Sequence, residues 1–340
     1  MRIALIAPPW MPVPPPAYGG TEVVVDRLAR GFQAAGHDVL LFTTGESTCP
    51  VERRWAYAWD QSYRLGQVVP ELRHLIHAYE AVRGYDIIHD HSLIGPLYAS
   101  HFPELCVVTT NHGPFDEELT DIYRSISARV PLIAISQSQA DLAAGVPIAR
   151  VIHHGIDVTE YPLGDGGGGY FLFLGRMAPD KGARRAALVA HQGGVRLLMA
   201  AKMREPLEHE YFEQLVHPLL DERVQYVGEV GGDHKLELLA GARALVNPIR
   251  WPEPFGLVMI EALACGTPVL SFREGAAPEI VEHGVTGFLC DDEDDMAAHL
   301  HRVGELDRLA CRAEVERRFS TARMVQQHLE LFESLVAARG

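Results

Sequence analysis

Two cations and two carboxylates stand where a phosphorylated, hydroxyl-rich ligand would need them. Arg176 and Lys181, in the run Arg176-Met-Ala-Pro-Asp-Lys181-Gly182, follow the apolar stretch Tyr170–Leu174 and precede a helix-length segment. An arginine clamps phosphate oxygens in bidentate fashion and a lysine adds a point charge, so the pair suits a diphosphate. The bland alternative, two surface charges on a loop, fits less well in a chain with 30 Lys and Arg against 45 Asp and Glu. Lys202, after Val195–Ala200, stands at the equivalent end of the next apolar run.

The second constellation is Glu253-Pro254-Phe255-Gly256-Leu257-Val258-Met259-Ile260-Glu261. Pro254 suits a helix start and Gly266 its end. Phe255, Gly256 and Leu257 would then present unpaired N–H groups at the positive end of the helix dipole. Glu261 falls about one turn in, on the face of Leu257, while Glu253 sits just outside. Two carboxylates flanking an anion-binding helix start can hold hydroxyls on both sides of the anion: a sugar on one, a ribose on the other. A merely solvated Glu261 fits poorly with its apolar neighbours Val258 to Leu263.

Near the N-terminus, Tyr18-Gly19-Gly20-Thr21 separates the run Ile3–Ala7 from a helix expected over Glu22–Ala35. The glycines let backbone approach a ligand, and the helix start offers N–H groups to an anion. The spacing is not G-x-G-x-x-G, so no dinucleotide fingerprint is present, and a simple turn remains the alternative. His89-Asp90-His91 offers metal-ligand types but no third ligand at a fitting spacing. The acidic run Asp291–Asp295 reads as charge favouring the start of a helix near Met296. Cys265 reads as core packing, not as a nucleophile.

These residues need elements to hold them at strand ends. Apolar runs of four to seven residues alternate with helix-length amphipathic stretches: Ile3–Ala7, Val39–Thr43, Asp86–His89, Val107–Thr110, Leu132–Ile135 and Arg150–His153, then Tyr170–Leu174, Val195–Ala200, Val224–Val227, Ala244–Asn247, Pro268–Phe272 and Gly287–Leu289. Runs without period-two alternation fit strands covered on both faces, hence parallel α/β sheets with ligand sites beyond their C-terminal ends. At 340 residues, two such domains are expected. The stretch Pro162–Gly169, PLGDGGGG, reads as the join. The expected division is 1–160, a linker over 161–169, and 170–319. A final helix over 320–338 has Met324, Val325, Leu329, Phe332, Leu335 and Val336 on one face.

Composition narrows the class. A net charge of −15 argues against non-specific nucleic-acid binding. No apolar run reaches the ~20 residues of a membrane span, and MRIALIAPPW reads as a first strand, not a leader. Five cysteines with no C-x-x-C pair argue against a disulfide framework or zinc ribbon, and a cytoplasmic location is expected.

R-x4-K-G with E-x7-E, followed by Gly275-Ala-Ala-Pro278-Glu279-Ile-Val-Glu282-His-Gly284-Val-Thr-Gly287-Phe, resembles family 4 of the retaining glycosyltransferases. Gly19-Gly20, His89-Asp90-His91, Thr110-Asn111-His112-Gly113, Ala134-Ile-Ser136 and His154-Gly155-Ile156-Asp157 are similar to that family's N-terminal motifs, with His154 where Asn is usual. The resemblance covers essentially the whole chain. It implies the GT-B fold, two Rossmann-like domains facing across a deep cleft, with the last helix packing back on the first domain. It implies donor-sugar contacts from Glu253 and the backbone of Phe255, Gly256 and Leu257, and ribose contacts from Glu261. Arg176 and Lys181 would neutralise the leaving diphosphate, with Gly19 and Gly20 closing on it. The base would lie near Val227, Gly228 and Glu229, and His112 would line the reacting centre.

The function expected on that basis is transfer of a sugar from a nucleotide-sugar donor to a soluble sugar or small-molecule acceptor, with retention and with neither metal nor cofactor. No Lys/Arg-rich amphipathic helix of the kind that docks on membranes is evident in the first half. A nucleotide-sugar epimerase of the same fold would lack E-x7-E. A non-catalytic nucleotide-sugar-binding protein would not need Arg176, Lys181, Glu253 and Glu261 together. Fold alone decides none of these.

Overall fold

The computed structural model describes residues 1–16 and 19–339, so Tyr18 of the first glycine motif lies outside the described residues. The chain divides into two compact units. One comprises residues from Met1 to Gly155 with the segment from Thr321 onward; the other is Ile156–Ser320.

The first unit is built on a seven-stranded parallel sheet. Its strands are β1 (Arg2–Ile6), β2 (Asp38–Thr43), β3 (Glu52–Trp55), β4 (Ile87–Asp90), β5 (Val107–Thr110), β6 (Leu132–Ala134) and β7 (Ile148–Val151), in the order β3-β2-β1-β4-β5-β6-β7. All but one overlap the apolar runs of the sequence, with β7 lying two residues earlier than the run Arg150–His153. The exception is β3, Glu-Arg-Arg-Trp, which pairs with β2 from Leu40↔Glu52 to Thr43↔Trp55. As an edge strand it has one partner and little burial, so it carries no apolar run.

The Gly20–Ala34 helix and the closing Thr321–Ala337 helix pack together in this unit. Their contact is close because residue 31 is glycine: a Cβ there would stand 2.3 Å from Val325 Cγ2. Phe32 and Phe332 meet beside it at 5.5 Å between ring centroids. The core of the other sheet face gathers Ala4, Ile6, Leu40, Phe42, Leu75 and Tyr79, all at most 2% exposed.

The second unit has a six-stranded parallel sheet: β8 (Phe171–Arg176), β9 (Leu197–Lys202), β10 (Val224–Gly228), β11 (Leu245–Asn247), β12 (Val269–Phe272) and β13 (Gly287–Cys290), in the order β10-β9-β8-β11-β12-β13. Phe171, Phe173, Met199, Val246, Leu270 and Phe288 fill its core. In each unit the strand order reverses once, around β1 in the first and around β8 in the second. Such switch points open a crevice at the carboxyl ends of the strands.

The expected join is not where the glycines are. The division falls at Gly155/Ile156, and Pro162–Gly169 belongs to the body of the second unit. Gly164 N–H donates to the Cys265 carbonyl at 3.0 Å and Gly168 N–H to that of Gly241, also at 3.0 Å. A Cβ on Gly164 would stand 2.0 Å from the Ala240 carbonyl oxygen. Gly164 and Gly168 serve close backbone approach, not flexibility.

Candidate active site

In the second unit the site is assembled from loops that leave β8, β9, β10, β11 and β12. Gly182 caps the Ala183–Gly193 helix in the left-handed conformation, with φ of 77°. A Cβ there would lie 2.4 Å from the Pro248 carbonyl oxygen, so glycine lets the loop after β8 press against the loop after β11. The result is that Lys181 reaches Glu253 and forms a tight ion pair. Lys181 Nζ also stands 5.0 Å from the centroid of the Trp251 ring, a cation–π contact.

Glu253 is held from the other side by the loop after β12. Ala276 N–H donates to the Glu253 carbonyl at 3.0 Å. Gly275, at φ of 53°, lies so near that a Cβ would stand 2.5 Å from both the nitrogen and the carbonyl oxygen of Glu253. The carboxylate is thus set by two loops at adjacent strand ends. Rigid placement of this kind is what a group that must orient hydroxyls requires.

The helix after Glu253 begins later than its sequence indicates. It spans Leu257–Ala264, with Gly256 as N-cap at φ of 90°, so Pro254 and Phe255 precede the helix. A left-handed cap residue cannot be inside a helix, and it overrides the preference of proline for a first turn. Leu257 is therefore the first helical residue, and the helix N-terminus sits beside Glu253. Glu261 lies one turn in, as its spacing from Leu257 requires, and is 8% exposed.

Glu261 has two partners that the motif does not announce. Its Oε1 accepts from Lys235 Nζ at 2.8 Å and from Tyr161 Oη at 3.2 Å. Arg176 ends β8 and binds Asp180 Oδ2 at 3.1 Å through Nη2, with Nε 3.7 Å from Glu208 Oε1. Glu208 is buried, and its Oε2 accepts from the backbone N–H groups of Arg204 and Glu205. Val227 and Gly228 close β10, and Glu229 just beyond takes a bidentate pair from Arg204 at 3.0 and 2.7 Å. Of the expected donor residues, then, Lys181 and Glu253 touch directly. Arg176, Glu261 and Glu229 each hold separate partners: Asp180 with Glu208, Lys235 with Tyr161, and Arg204. Asp180 stands four residues along the same loop as Arg176, whereas the other partners lie on other elements and only the folded register brings them in.

Cys265 closes the same helix. Burial and the nearby Glu261 charge push its thiol up to about 12, which keeps it protonated and unreactive at neutral pH. In the acidic run, Asp292 caps the Glu293–His299 helix by accepting from Asp295 N–H. Cys290, Asp295 and His299 do come together there. Their donors are already engaged, since His299 Nδ1 binds Asp295 and its Nε2 faces the Arg302 guanidinium at 3.3 Å.

In the first unit, Gly19 precedes the Gly20–Ala34 helix as its N-cap, and a Cβ on it would meet Met11 Cε at 2.7 Å. His112 follows β5 and His91 follows β4, on neighbouring strands. His91 Nδ1 and His112 Nε2 are 2.8 Å apart, and the His154 ring stacks on His112 at 5.4 Å. Burial lowers the pKa of each, that of His112 to about 4, so all three are neutral at pH 7. His89, deeper in, binds Thr110 Oγ1 at 2.7 Å. Among the described residues His89 and His91 belong to no group of three whose ligand atoms converge on one point.

Comparison with known proteins agrees with this layout. The model of the family described as Glycosyltransferase Family 4 matches residues 18–160, and that described as Glycosyl transferases group 1 matches residues 168–305. Over 128 residues the chain is 35% identical to N-acetyl-alpha-D-glucosaminyl L-malate synthase of Bacillus anthracis, a match covering 35% of this chain and 33% of that relative. The crystal structure of AviGT4, a glycosyltransferase involved in avilamycin A biosynthesis, superposes with a TM-score of 0.75 at 27% identity, covering 99% of this chain and 98% of that one. The Anabaena protein Alr3699/HepE in complex with UDP-glucose shares the fold, with a TM-score of 0.76 at 20% identity over 98% of this chain and 100% of that one. One family profile on each Rossmann-like unit, and full-length superposition on a known transferase, place the chain among the family 4 glycosyltransferases of the GT-B fold.

Proposed function

We propose that this transferase moves a sugar from a nucleotide-sugar donor to a soluble hydroxyl-bearing acceptor, with retention of anomeric configuration and without a metal ion. The observation that carries the reading is the Lys181–Glu253 pair beside the Gly256-capped helix start. A lysine held against a carboxylate, next to N–H groups at a positive helix end, is a site that a diphosphate can enter by replacing the carboxylate as counter-ion. Glu253, released from Lys181, then accepts hydrogen bonds from donor-sugar hydroxyls, with the backbone of Phe255, Gly256 and Leu257 alongside. Arg176 shares the diphosphate charge, Glu261 holds the ribose, and the base lies against Val227, Gly228 and Glu229. Gly19 and Gly20 are assigned to the diphosphate and His112 to the reacting centre.

Catalysis in this scheme rests on positioning and on charge stabilisation at the leaving diphosphate. No side chain of the set is assigned as a nucleophile. Fixed cations occupy the place of a divalent ion, so transfer should survive exhaustive chelation. Activity abolished by chelator and restored by Mn²⁺ would overturn the metal-independent reading. The Anabaena structure holds UDP-glucose, which makes uridine donors the first to screen. Donors that bind only the native state raise its thermal midpoint, and this identifies them without knowledge of the acceptor.

A further inference from the structure

Five histidines of the first unit are in ring contact. His89 and His91 stand 4.0 Å apart by ring centroids, His89 and His328 5.2 Å, His91 and His112 5.1 Å, and His112 and His154 5.4 Å. Each neutral ring carries one N–H and one lone pair, and the partner of one nitrogen decides the state of the other. His91 is 5% exposed, and its backbone N–H is fixed to the Ile6 carbonyl at 2.9 Å. The neighbouring Asp90 is locked by Tyr79 Oη at 2.8 Å and by Ser92 Oγ at 2.6 Å, so the loop that presents His91 is rigid.

Only one proton occupies the 2.8 Å contact between His91 Nδ1 and His112 Nε2. The remaining nitrogen of His91, Nε2, is enclosed and has no partner among the described residues. An enclosed N–H without an acceptor is rare and costly, whereas an enclosed lone pair is tolerated better. The proton of His91 is therefore on Nδ1, donated to Nε2 of His112. His112 must then carry its own proton on Nδ1. His89 follows the same rule: its Nδ1 is enclosed and unpartnered, so Nε2–H donates to Thr110 Oγ1.

We propose that His91 is a positioning residue that fixes His112 as its Nδ1–H tautomer, so that His112 meets the substrate as a hydrogen-bond donor and not as a base. This rests on the assignment of His112 to the reacting centre. A donor there suits an oxygen that gains negative charge, and a rigid one needs no reorganisation as the charge develops.

Two-bond ¹H–¹⁵N spectra of histidine-labelled protein at pH 7.5 report the tautomer directly. The expected pattern for His112 is a protonated Nδ1 and a bare Nε2; a protonated Nε2 overturns the proposal. In His91→Phe the donor that fixes the tautomer is gone, so His112 should populate both neutral tautomers and kcat should fall about tenfold with donor KM little changed. His91→Asn keeps an N–H near the Nδ1 position and should restore both tautomer and turnover. Equal losses in the two variants with an unchanged His112 tautomer would also overturn it. Should His91→Phe fail to fold, the wild-type spectrum and the Asn variant still decide. An Nδ1–H His112 whose replacement leaves turnover intact would instead refute the placing of His112 at the reacting centre, while the tautomer assignment stands.

Discussion

Lys235 Nζ lies 2.8 Å from Glu261 Oε1, and Tyr161 Oη lies 3.2 Å from the same oxygen. Both donors therefore engage one oxygen of the carboxylate, and in the role proposed for Glu261 it is Oε2 that would take the ribose hydroxyls. Glu261 is mostly buried, at 11% side-chain exposure, so the lysine also offsets the cost of enclosing its charge.

Removing that lysine should disturb the ligand site through Glu261. Lys235→Ala lets the carboxylate rotate and leaves it enclosed without its cation, so nucleoside diphosphate should bind about tenfold more weakly. Tyr161→Phe removes a longer, neutral bond and should cost only about two- to threefold. Calorimetric titration of both variants checks the order, and a larger loss in Tyr161→Phe would contradict it.

Gly275 tests whether the backbone of Glu253 must be where it is. An alanine there needs φ near 53°, and its Cβ would stand 2.5 Å from the Glu253 nitrogen and carbonyl oxygen. The left-handed conformation alone costs roughly 1–2 kcal/mol for a non-glycine residue. The larger effect should be on turnover, because relief of the clash moves Glu253 away from the position in which it is proposed to take the donor-sugar hydroxyls. Gly275→Ala should lose about tenfold or more in kcat while its Tm falls by only a few degrees. A variant that unfolds at ordinary temperature, or one that keeps full turnover, would refute this.

Acid should unfold the first unit first. His74, His89, His91, His112, His154 and His328 all have pKa values lowered by burial, those of His74, His112 and His328 to about 4. A group whose folded pKa is depressed contributes stability that is whole above its unfolded value near 6.5 and is lost as pH falls. For His74 the interval corresponds to about 3 kcal/mol. Glu22, Asp90 and Glu71 act in the opposite sense, since burial raises their pKa, to about 7 and about 6 for the first two. Six groups outweigh three, so stability should decline from pH 6 towards pH 4. In Trp251→Phe the remaining tryptophans, Trp10, Trp55 and Trp59, all belong to the first unit and report on it alone. A guanidinium midpoint that rose over that interval would show the carboxyls to dominate.

Why the chain yields some of this from its sequence and withholds the rest has physical reasons. Strands covered on both faces must be apolar throughout and so announce themselves; β3 is a mostly exposed edge strand, and Glu-Arg-Arg-Trp gives no sign. The run Pro162–Gly169 looks flexible because glycines are read as freedom. Here they allow approach, as the contact of Gly164 with Ala240 shows. Proline at 254 marks a helix start by its own preference, but the left-handed Gly256 resets it to Leu257. Lys181 and Glu253 were each visible as chemistry, though not as a pair, since they lie on different loops. Lys235, Tyr161 and Arg204 carry no motif of their own and become partners only through the fold.

The two glutamates should separate in a binding experiment, and the ion pair of Lys181 sharpens the expectation. In the roles proposed for them, each carboxylate would accept charge-assisted hydrogen bonds from hydroxyls worth roughly 1.5–3 kcal/mol. Glu261→Ala should weaken nucleoside diphosphate and intact donor alike, by about tenfold or more, because both carry the ribose. Glu253→Gln removes the anion that competes with a diphosphate for Lys181. Nucleoside diphosphate should therefore bind this variant as well as the parent or more tightly, while turnover of the intact donor falls about ten- to a hundredfold. Opposite signs from two carboxylates on one short segment cannot arise from a general loss of structure. Calorimetry with nucleoside diphosphate alone decides it: equal weakening in both variants would mean that Glu253 does not hold the transferred sugar.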